Sequence, residues 1–145
     1  MSNRILSYRG LMADGVIDTI LLSTRKGEVG YRIIKFELLP YNPGAQDSLN
    51  VVKIYTDEQS TTTATIDFSD TTLLAAGTVQ NTSSYAYGEY NVVTFDQVIV
   101  NQDIYITNKD YATGESINYL LELEVIKLDE SQAMVATLKD IRNNS

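Results

Sequence analysis

Any catalytic site in this chain has to be built from carboxylates and hydroxyl groups, because the sequence contains neither histidine nor cysteine. Histidine is the usual acid–base group near neutral pH, and cysteine and histidine supply the usual zinc sites. Glu122 and Glu124 lie two residues apart and share one face of a predicted strand. A catalytic carboxylate pair usually comes from different strands, with one member partly desolvated. The spacing therefore indicates a solvated face, and we predict that the protein is not an enzyme.

Asp67 and Asp70 offer oxygen ligands of the kind that calcium prefers. The segment Asp67-Phe68-Ser69-Asp70 lacks, however, the alternating acidic spacing and the glycine of a calcium-binding loop. Aspartates at the ends of elements more often close turns. We therefore predict no metal ion and no cofactor.

Side chains suited to binding are more prominent than side chains suited to catalysis. The chain has ten tyrosines, and tyrosine offers a rigid contact surface with a polar end. Tyr85, Tyr87 and Tyr90 occur together in a loop-like stretch, and we predict that they form a contact patch or a sugar-stacking platform. The basic turn at Arg25 and Lys26 is either a solvated hairpin tip or a contact for an acidic neighbour in an assembly.

Composition restricts the class of protein. With 145 residues, of which 43% are hydrophobic and 21% charged, the chain has the size and balance of one soluble domain spanning residues 1–145. Its formal charge of −8 argues against direct nucleic-acid binding, which needs a basic surface. No apolar run approaches the roughly 20 residues that cross a bilayer, and the first residues do not resemble a signal peptide. We therefore expect no nucleic-acid partner, no membrane partner and no export.

The elements that position these side chains are mostly strands. Residues 15–39 hold two β-branched runs around the polar turn 23–28 and predict a hairpin. Residues 69–77 indicate a short helix or turn, because possible capping residues come before Leu73 and a glycine ends the segment. Further predicted strands cover residues 49–56, 61–68, 91–100 and 103–108.

The longest alternation covers residues 117–128 and predicts a strand with one core face. The residues on that face are Tyr119, Leu121, Leu123 and Val125. About seven or eight strands without long helices between them indicate an all-β fold, an antiparallel β-sandwich of the jelly-roll kind.

The last segment departs from the β pattern and predicts one short amphipathic helix at about residues 130–142. Asp129 and Gln132 form a capping-box arrangement at its start. Met134, Leu138 and Ile141 follow at helical spacing and make one apolar stripe. Because so short a helix is marginal alone, we expect the stripe to pack on another molecule or on the sandwich, where it would cover open β edges.

Four stretches of the chain resemble a group of small virion-associated proteins of marine bacteriophages. They are TRKGEVGYRIIKFELL at 24–39, NQDIYITNKD at 101–110, NYLLELEVIKLDE at 118–130 and ATLKDIRNN at 136–144. The resemblance implies a virion structural protein, foremost a capsid decoration or cement subunit that binds other virion proteins, above all the major capsid protein. It also implies assembly in the cytoplasm of the host bacterium, and we expect a homo-oligomer. No active-site residue is carried over.

Three other functions remain open from the sequence. A tail, fibre or head–tail component would use the tyrosine loop to bind host glycan or other virion proteins. A major capsid subunit would form the shell itself, as viral jelly rolls do. A carboxylate-dependent hydrolase would need a pair of acidic side chains brought together by the fold.

Overall fold

The structure of the chain, a computed structural model, describes residues 4–22, 29–45, 47–82, 89–95 and 97–127. Within these ranges there are eight β-strands and no helix, and hence no helix long and apolar enough to cross a membrane. The prediction of an all-β fold is confirmed. The predicted C-terminal helix at about 130–142 lies outside the described residues. The strands are β1 (Ile5–Met12), β2 (Ile17–Ile20), β3 (Val29–Pro40), β4 (Ser48–Tyr55), β5 (Leu73–Asn81), β6 (Glu89–Thr94), β7 (Ile104–Asp110) and β8 (Ile117–Lys127).

The strands form two antiparallel sheets. The three-stranded sheet has the order β1-β8-β3, and the five-stranded sheet has the order β2-β7-β4-β5-β6. β2 and β3 belong to different sheets, so the hairpin predicted over residues 15–39 is wrong. The alternation of apolar residues identifies strands correctly there, but it does not identify their partners, which lie about 90 residues away along the chain in β7 and β8.

Both sheets contribute side chains to one apolar core. Leu121 of β8, Ile54 of β4 and Ile106 of β7 are fully buried in the same cluster. The two sheets come close at Gly77 of β5, where an added Cβ would lie 2.5 Å from Cδ1 of Leu38 in β3. Glycine is therefore required at this position for the observed approach of the sheets.

β8 follows the alternation that its sequence predicts. Tyr119, Leu121 and Leu123 are buried, whereas Val125 is only partly buried against the core. The side chains between them point to the opposite face of the sheet. The predicted core face is thus confirmed for its first three members.

β3 departs from simple alternation because it contains a β-bulge. The register with β8 shifts between Ile33 and Lys35. An extra residue exchanges the faces of the strand, so Ile33 is buried before the shift and Phe36 and Leu38 are buried after it, while Ile34 is exposed. The core side of β3 is therefore formed by odd-numbered residues before the bulge and by even-numbered residues after it.

The connection between β4 and β5, residues 56–72, crosses the outer face of the five-stranded sheet. Residues 61–68 are not a strand, so that prediction is wrong, and Leu73 begins β5 rather than a helix. Lys53 of β4 explains why this segment stays on the sheet: its Nζ donates hydrogen bonds to Oγ1 of Thr63, at 2.8 Å, and to the carbonyl of Thr65, at 2.6 Å. The threonines indicate sheet propensity, but here they supply acceptors for a buried cation.

We expect Lys53→Met to release the 56–72 connection without unfolding the protein. Lys53 is almost completely buried, and this burial lowers its pKa, while the charge of Asp70 opposes the effect. Methionine keeps the apolar stem but donates no hydrogen bond, and removing a buried charge offsets part of the loss. Hydrogen-exchange mass spectrometry should show faster exchange in residues 57–72 and unchanged protection in β4. Equal exchange of residues 57–72 in the wild type and in Lys53→Met would contradict this role of Lys53. Lys109→Met, at a more exposed lysine, is the control and should leave this exchange unchanged.

Candidate interaction surfaces

One end of the outer face of the three-stranded sheet carries three leucines among its polar side chains. In one row across the sheet, Leu120 of β8 lies between Arg9 of β1 and Glu37 of β3. In the next row, Asn118 lies between Leu11 and Leu39. We call these two rows the outer-sheet patch: Arg9, Leu11, Glu37, Leu39, Asn118 and Leu120.

The outer-sheet patch is concave and open to solvent. A shallow cavity of about 480 Å³ is lined by Arg9 and Glu37, with Leu120 and Asn118 between them. Leu39 is 62% exposed and Leu11 is 50% exposed. Leu11 and Leu39 lie on the two outer strands of this sheet, on either side of Asn118, and exposed apolar side chains that cluster in this way often mark an interaction site in soluble proteins.

The backbone beneath this patch is held firmly. The ring of Tyr119 lies across Gly10 of the neighbouring strand, where an added Cβ would be 3.0 Å from the ring carbon Cε1. Gly10 therefore lets the buried tyrosine cover the inner side of β1, while Arg9 and Leu11 point outward. Asn118 donates a hydrogen bond to the carbonyl of Pro40, at 3.3 Å.

The rest of the same face is mostly polar, apart from Ile5 of β1, which is 54% exposed. Arg32 donates to Glu124 at 2.7 Å, and Lys35 lies 3.4 Å from Glu37. Glu124 thus has a basic partner and its side chain is 23% exposed, and the interpretation of Glu122 and Glu124 as a solvated pair stays a prediction. The outer-sheet patch brings two exposed leucines into one row, whereas Ile5 shares its row with the charged pair of Glu124 and Arg32.

A second exposed apolar surface lies on β6, at the edge of the five-stranded sheet. Tyr90 is 50% exposed, Val93 is 43% exposed and Val92 is 38% exposed. Residues 90–95, YNVVTF, contain no charged side chain. Edge strands are usually protected by charge, by proline or by a covering segment. We call Tyr90, Val92 and Val93 the β6 edge.

Of the residues predicted to interact, the structure describes only Tyr90, which lies on the β6 edge. Its predicted role in a contact patch stays a prediction. The others, all outside the described residues, are Arg25, Lys26, Tyr85, Tyr87, Met134, Leu138 and Ile141.

The two aspartates that were considered for metal binding have local partners. Oδ1 of Asp67 accepts hydrogen bonds from the amide and the hydroxyl of Ser69, which hold the pKa of Asp67 below its ordinary value. Oδ1 of Asp70 accepts the same pair of bonds from Thr72. Both aspartates close turns, as their positions indicate. Among the described residues, no cluster of three or more acidic side chains is arranged to hold a metal ion.

Sequence reasoning missed the outer-sheet patch because its members come from three distant parts of the chain. The signal was present in two apolar pairs, Leu11-Met12 and Leu38-Leu39. Successive residues of a strand point to opposite faces, so one leucine of each pair has to face outward. Only the antiparallel register shows that the two outward leucines lie in the same row.

No protein-family model, curated protein or solved structure matches the chain. The outer-sheet patch and the β6 edge belong to different sheets, so variants can test them separately.

Proposed function

We propose that the protein is a structural protein of a bacteriophage virion, a decoration or cement subunit that stabilises the capsid by binding the major capsid protein. The observation on which this depends is the β6 edge, with three exposed apolar side chains in a stretch, residues 90–95, that carries no charge. A cement subunit needs a rigid scaffold and apolar contact surface, and repetition over many symmetric sites increases the total strength of binding. It needs no catalytic group.

The proposed scaffold is a jelly-roll-like β-sandwich. In a jelly roll, the chain can be described as one long antiparallel hairpin that pairs β1 with β8, β2 with β7, β3 with β6 and β4 with β5. This hairpin then wraps around itself to form two sheets. Three of these four pairs are present, together with the pairs β8–β3 and β7–β4 that rolling creates. The departure is β6, which pairs with β5 although it also lies close to β3. The C-terminal helix at about 130–142 remains a prediction, with its stripe packed on this sandwich or on a neighbour.

The β6 edge is the surface that we assign to the capsid contact. Edge strands bind extended segments or other edges through main-chain hydrogen bonds, and apolar side chains add contact area. Residues 90–95 carry no charge, although Glu89 begins β6 and Asp96 follows this stretch, so most of the net charge of −8 lies elsewhere on the chain. Two proteins can therefore approach along the middle of this strand, with Glu89 as the one charged side chain of β6. Tyr90 adds a large amphipathic side chain of the type that is enriched at interfaces.

Quantitative mass spectrometry of purified phage particles tests this proposal. We expect the chain to be present in a copy number comparable to that of the major capsid protein, and in proportion to it across preparations. A Val93→Lys variant should bind much less to particles that lack the protein. Leu21→Lys, which changes a more exposed leucine outside the β6 edge, should bind normally. A copy number of a few per particle, or full binding of Val93→Lys, would contradict the proposal.

The exposure of Tyr90 also favours a second candidate, a tail or fibre component that binds host glycan by stacking a sugar on the ring. In that case a glycan array should show binding by the wild-type chain, and Tyr90→Ala should abolish it. Absence of binding to the array would remove this candidate and leave the cement function unaffected.

A further inference from the structure

The outer-sheet patch has a charge arrangement that matches a copy of itself. Arg9 and Glu37 lie in the same row, on opposite sides of Leu120. The patch thus has a positive side chain on β1, a negative one on β3, which also pairs with Lys35 of its own strand, and Leu120 and Asn118 between them on β8. Rotation by 180° about an axis parallel to β8 places β1 of one copy over β3 of the other. Each arginine then faces a glutamate, and the two Leu120 side chains face each other across the axis.

We propose that the outer-sheet patch binds a second copy of this chain, face to face, in a two-fold symmetric dimer. The same rotation places Leu11 of one copy over Leu39 of the other, so the two exposed leucines cover each other. A two-fold interface uses the same patch on both subunits and must be self-complementary, which this arrangement of side chains satisfies. The inference does not depend on the proposed virion function.

The polar rows of the sheet limit the contact to this end. In the same orientation, Glu122 and Glu124 would face their own copies, which is unfavourable. A contact centred on the rows of Leu120 and Asn118 leaves Glu124 and its partner Arg32 outside the interface. The two Glu122 side chains lie at its border, and their repulsion weakens the dimer.

We expect two copies of the chain to bind each other weakly. Two rows of three side chains form an interface at the low end of the specific range, below about 1,200 Å² in total. Each copy also has a formal charge of −8, so the copies repel each other at long range. The two Arg9–Glu37 contacts offset part of this repulsion and fix the orientation, since opposite charges that face each other select one register.

Sedimentation velocity over a range of concentrations tests the dimer. The samples are the full-length wild type and variants in which the charges at positions 9 and 37 are reversed. We expect a reversible monomer–dimer equilibrium for the wild type. Arg9→Glu and Glu37→Arg should each weaken dimerisation by about tenfold or more, because each creates two like-charge contacts across the axis. The double variant, which exchanges the two charges, should restore dimerisation to near the wild-type level. Glu58→Arg, at an exposed position on the 56–72 connection, has the same charge change as Glu37→Arg and should have no such effect.

Three results would overturn the proposal. The wild type could remain monomeric at the highest concentration, the single variants could dimerise as well as the wild type, or the double variant could dimerise no better than the single variants. Circular dichroism and thermal unfolding of each variant establish that the fold is intact, which is expected because both side chains lie on the outer face. Loss of dimerisation without loss of particle binding would separate this surface from the β6 edge.

Discussion

Asp110→Ala is expected to destabilise the protein by about 3 kcal/mol or more, because it leaves several backbone donors without an acceptor. One carboxylate oxygen of Asp110 accepts hydrogen bonds from the amides of Leu49, at 3.0 Å, and Ala112, at 2.8 Å. The other accepts from the amide of Glu115, at 2.6 Å, and from the hydroxyl of Thr113. This single buried side chain therefore joins the end of β7 to the start of β4 and shapes the turn that leads to β8. Chemical denaturation gives the change in the free energy of unfolding.

Asp67→Ala is the matched control for this effect. Asp67 also closes a turn with its carboxylate, but it is exposed and bonds only to Ser69. Water can replace the lost acceptor at an exposed turn, so the change should be much smaller. Equal effects of the two substitutions would show that Asp110 does not organise the strand ends.

The stabilisation from Asp110 should disappear in acid. Burial alone would raise the pKa of this carboxyl, but the hydrogen bonds from the backbone of Ala112, Leu49, Glu115 and Thr113 outweigh burial and hold the pKa below its ordinary value. A lowered pKa in the folded state gives stability that is present above the unfolded value of about 3.9 and is lost as the pH falls through the folded value. The difference in stability between the wild type and Asp110→Asn should therefore shrink below about pH 4. A constant difference between pH 7 and pH 3 would contradict this linkage.

Leu121→Ala is expected to cost about 2–5 kcal/mol, the range for removing a fully buried leucine side chain. Leu121 lies on the central strand of its sheet, between Tyr8 and Phe36, and belongs to the core shared with the five-stranded sheet. The substitution removes contacts within one sheet and between the two sheets at the same time. Thermal and denaturant unfolding should show one weakened cooperative transition.

Leu120→Ala, one residue earlier on the same strand, is the control. Leu120 points to the outer face and lines the outer-sheet patch, so its removal should change the free energy of unfolding far less. It should instead weaken the proposed dimer. If the two substitutions destabilised the monomer equally, the assignment of inner and outer faces to β8 would be wrong.

The sequence predicted the elements of this fold better than their partners. The alternation in β8 identified Tyr119, Leu121 and Leu123 as core residues because its strand is regular over its whole length. In β3 a bulge exchanged the faces, and one extra residue leaves no clear signal in the apolar pattern. The false hairpin at 15–39 arose because neighbouring strands of a chain usually pair, whereas here they lie in different sheets.

Two predictions in the middle of the chain, which were based on local residue preferences, also differ from the structure. The threonines of residues 61–68 have high strand propensity, but hydrogen bonds from Lys53 and the turns at Asp67 and Asp70 hold the segment as a connection. Residues 69–77 form a turn followed by a strand, because Leu73 and Leu74 are buried by the core more effectively in β5 than in an isolated helical turn. Tertiary burial outweighed local propensity in both cases.

The candidate surfaces were predictable only in part. Tyr90 was identified from its residue type and neighbourhood, and the structure places it half-exposed at a sheet edge. The outer-sheet patch depends on the register of three strands, which no local pattern determines. The side chains of this surface come from three parts of the chain, separated by about 30 and about 80 residues. The surface therefore becomes visible only when the sheet order is known.

Electron cryomicroscopy of the intact phage particle tests the central claim most directly. The proposal predicts many copies of this chain on the outside of the shell, at symmetry-related positions, with the β6 edge against the major capsid protein. Copies found only at one vertex or on the tail, or no copies in the particle, would contradict the assignment as a decoration subunit.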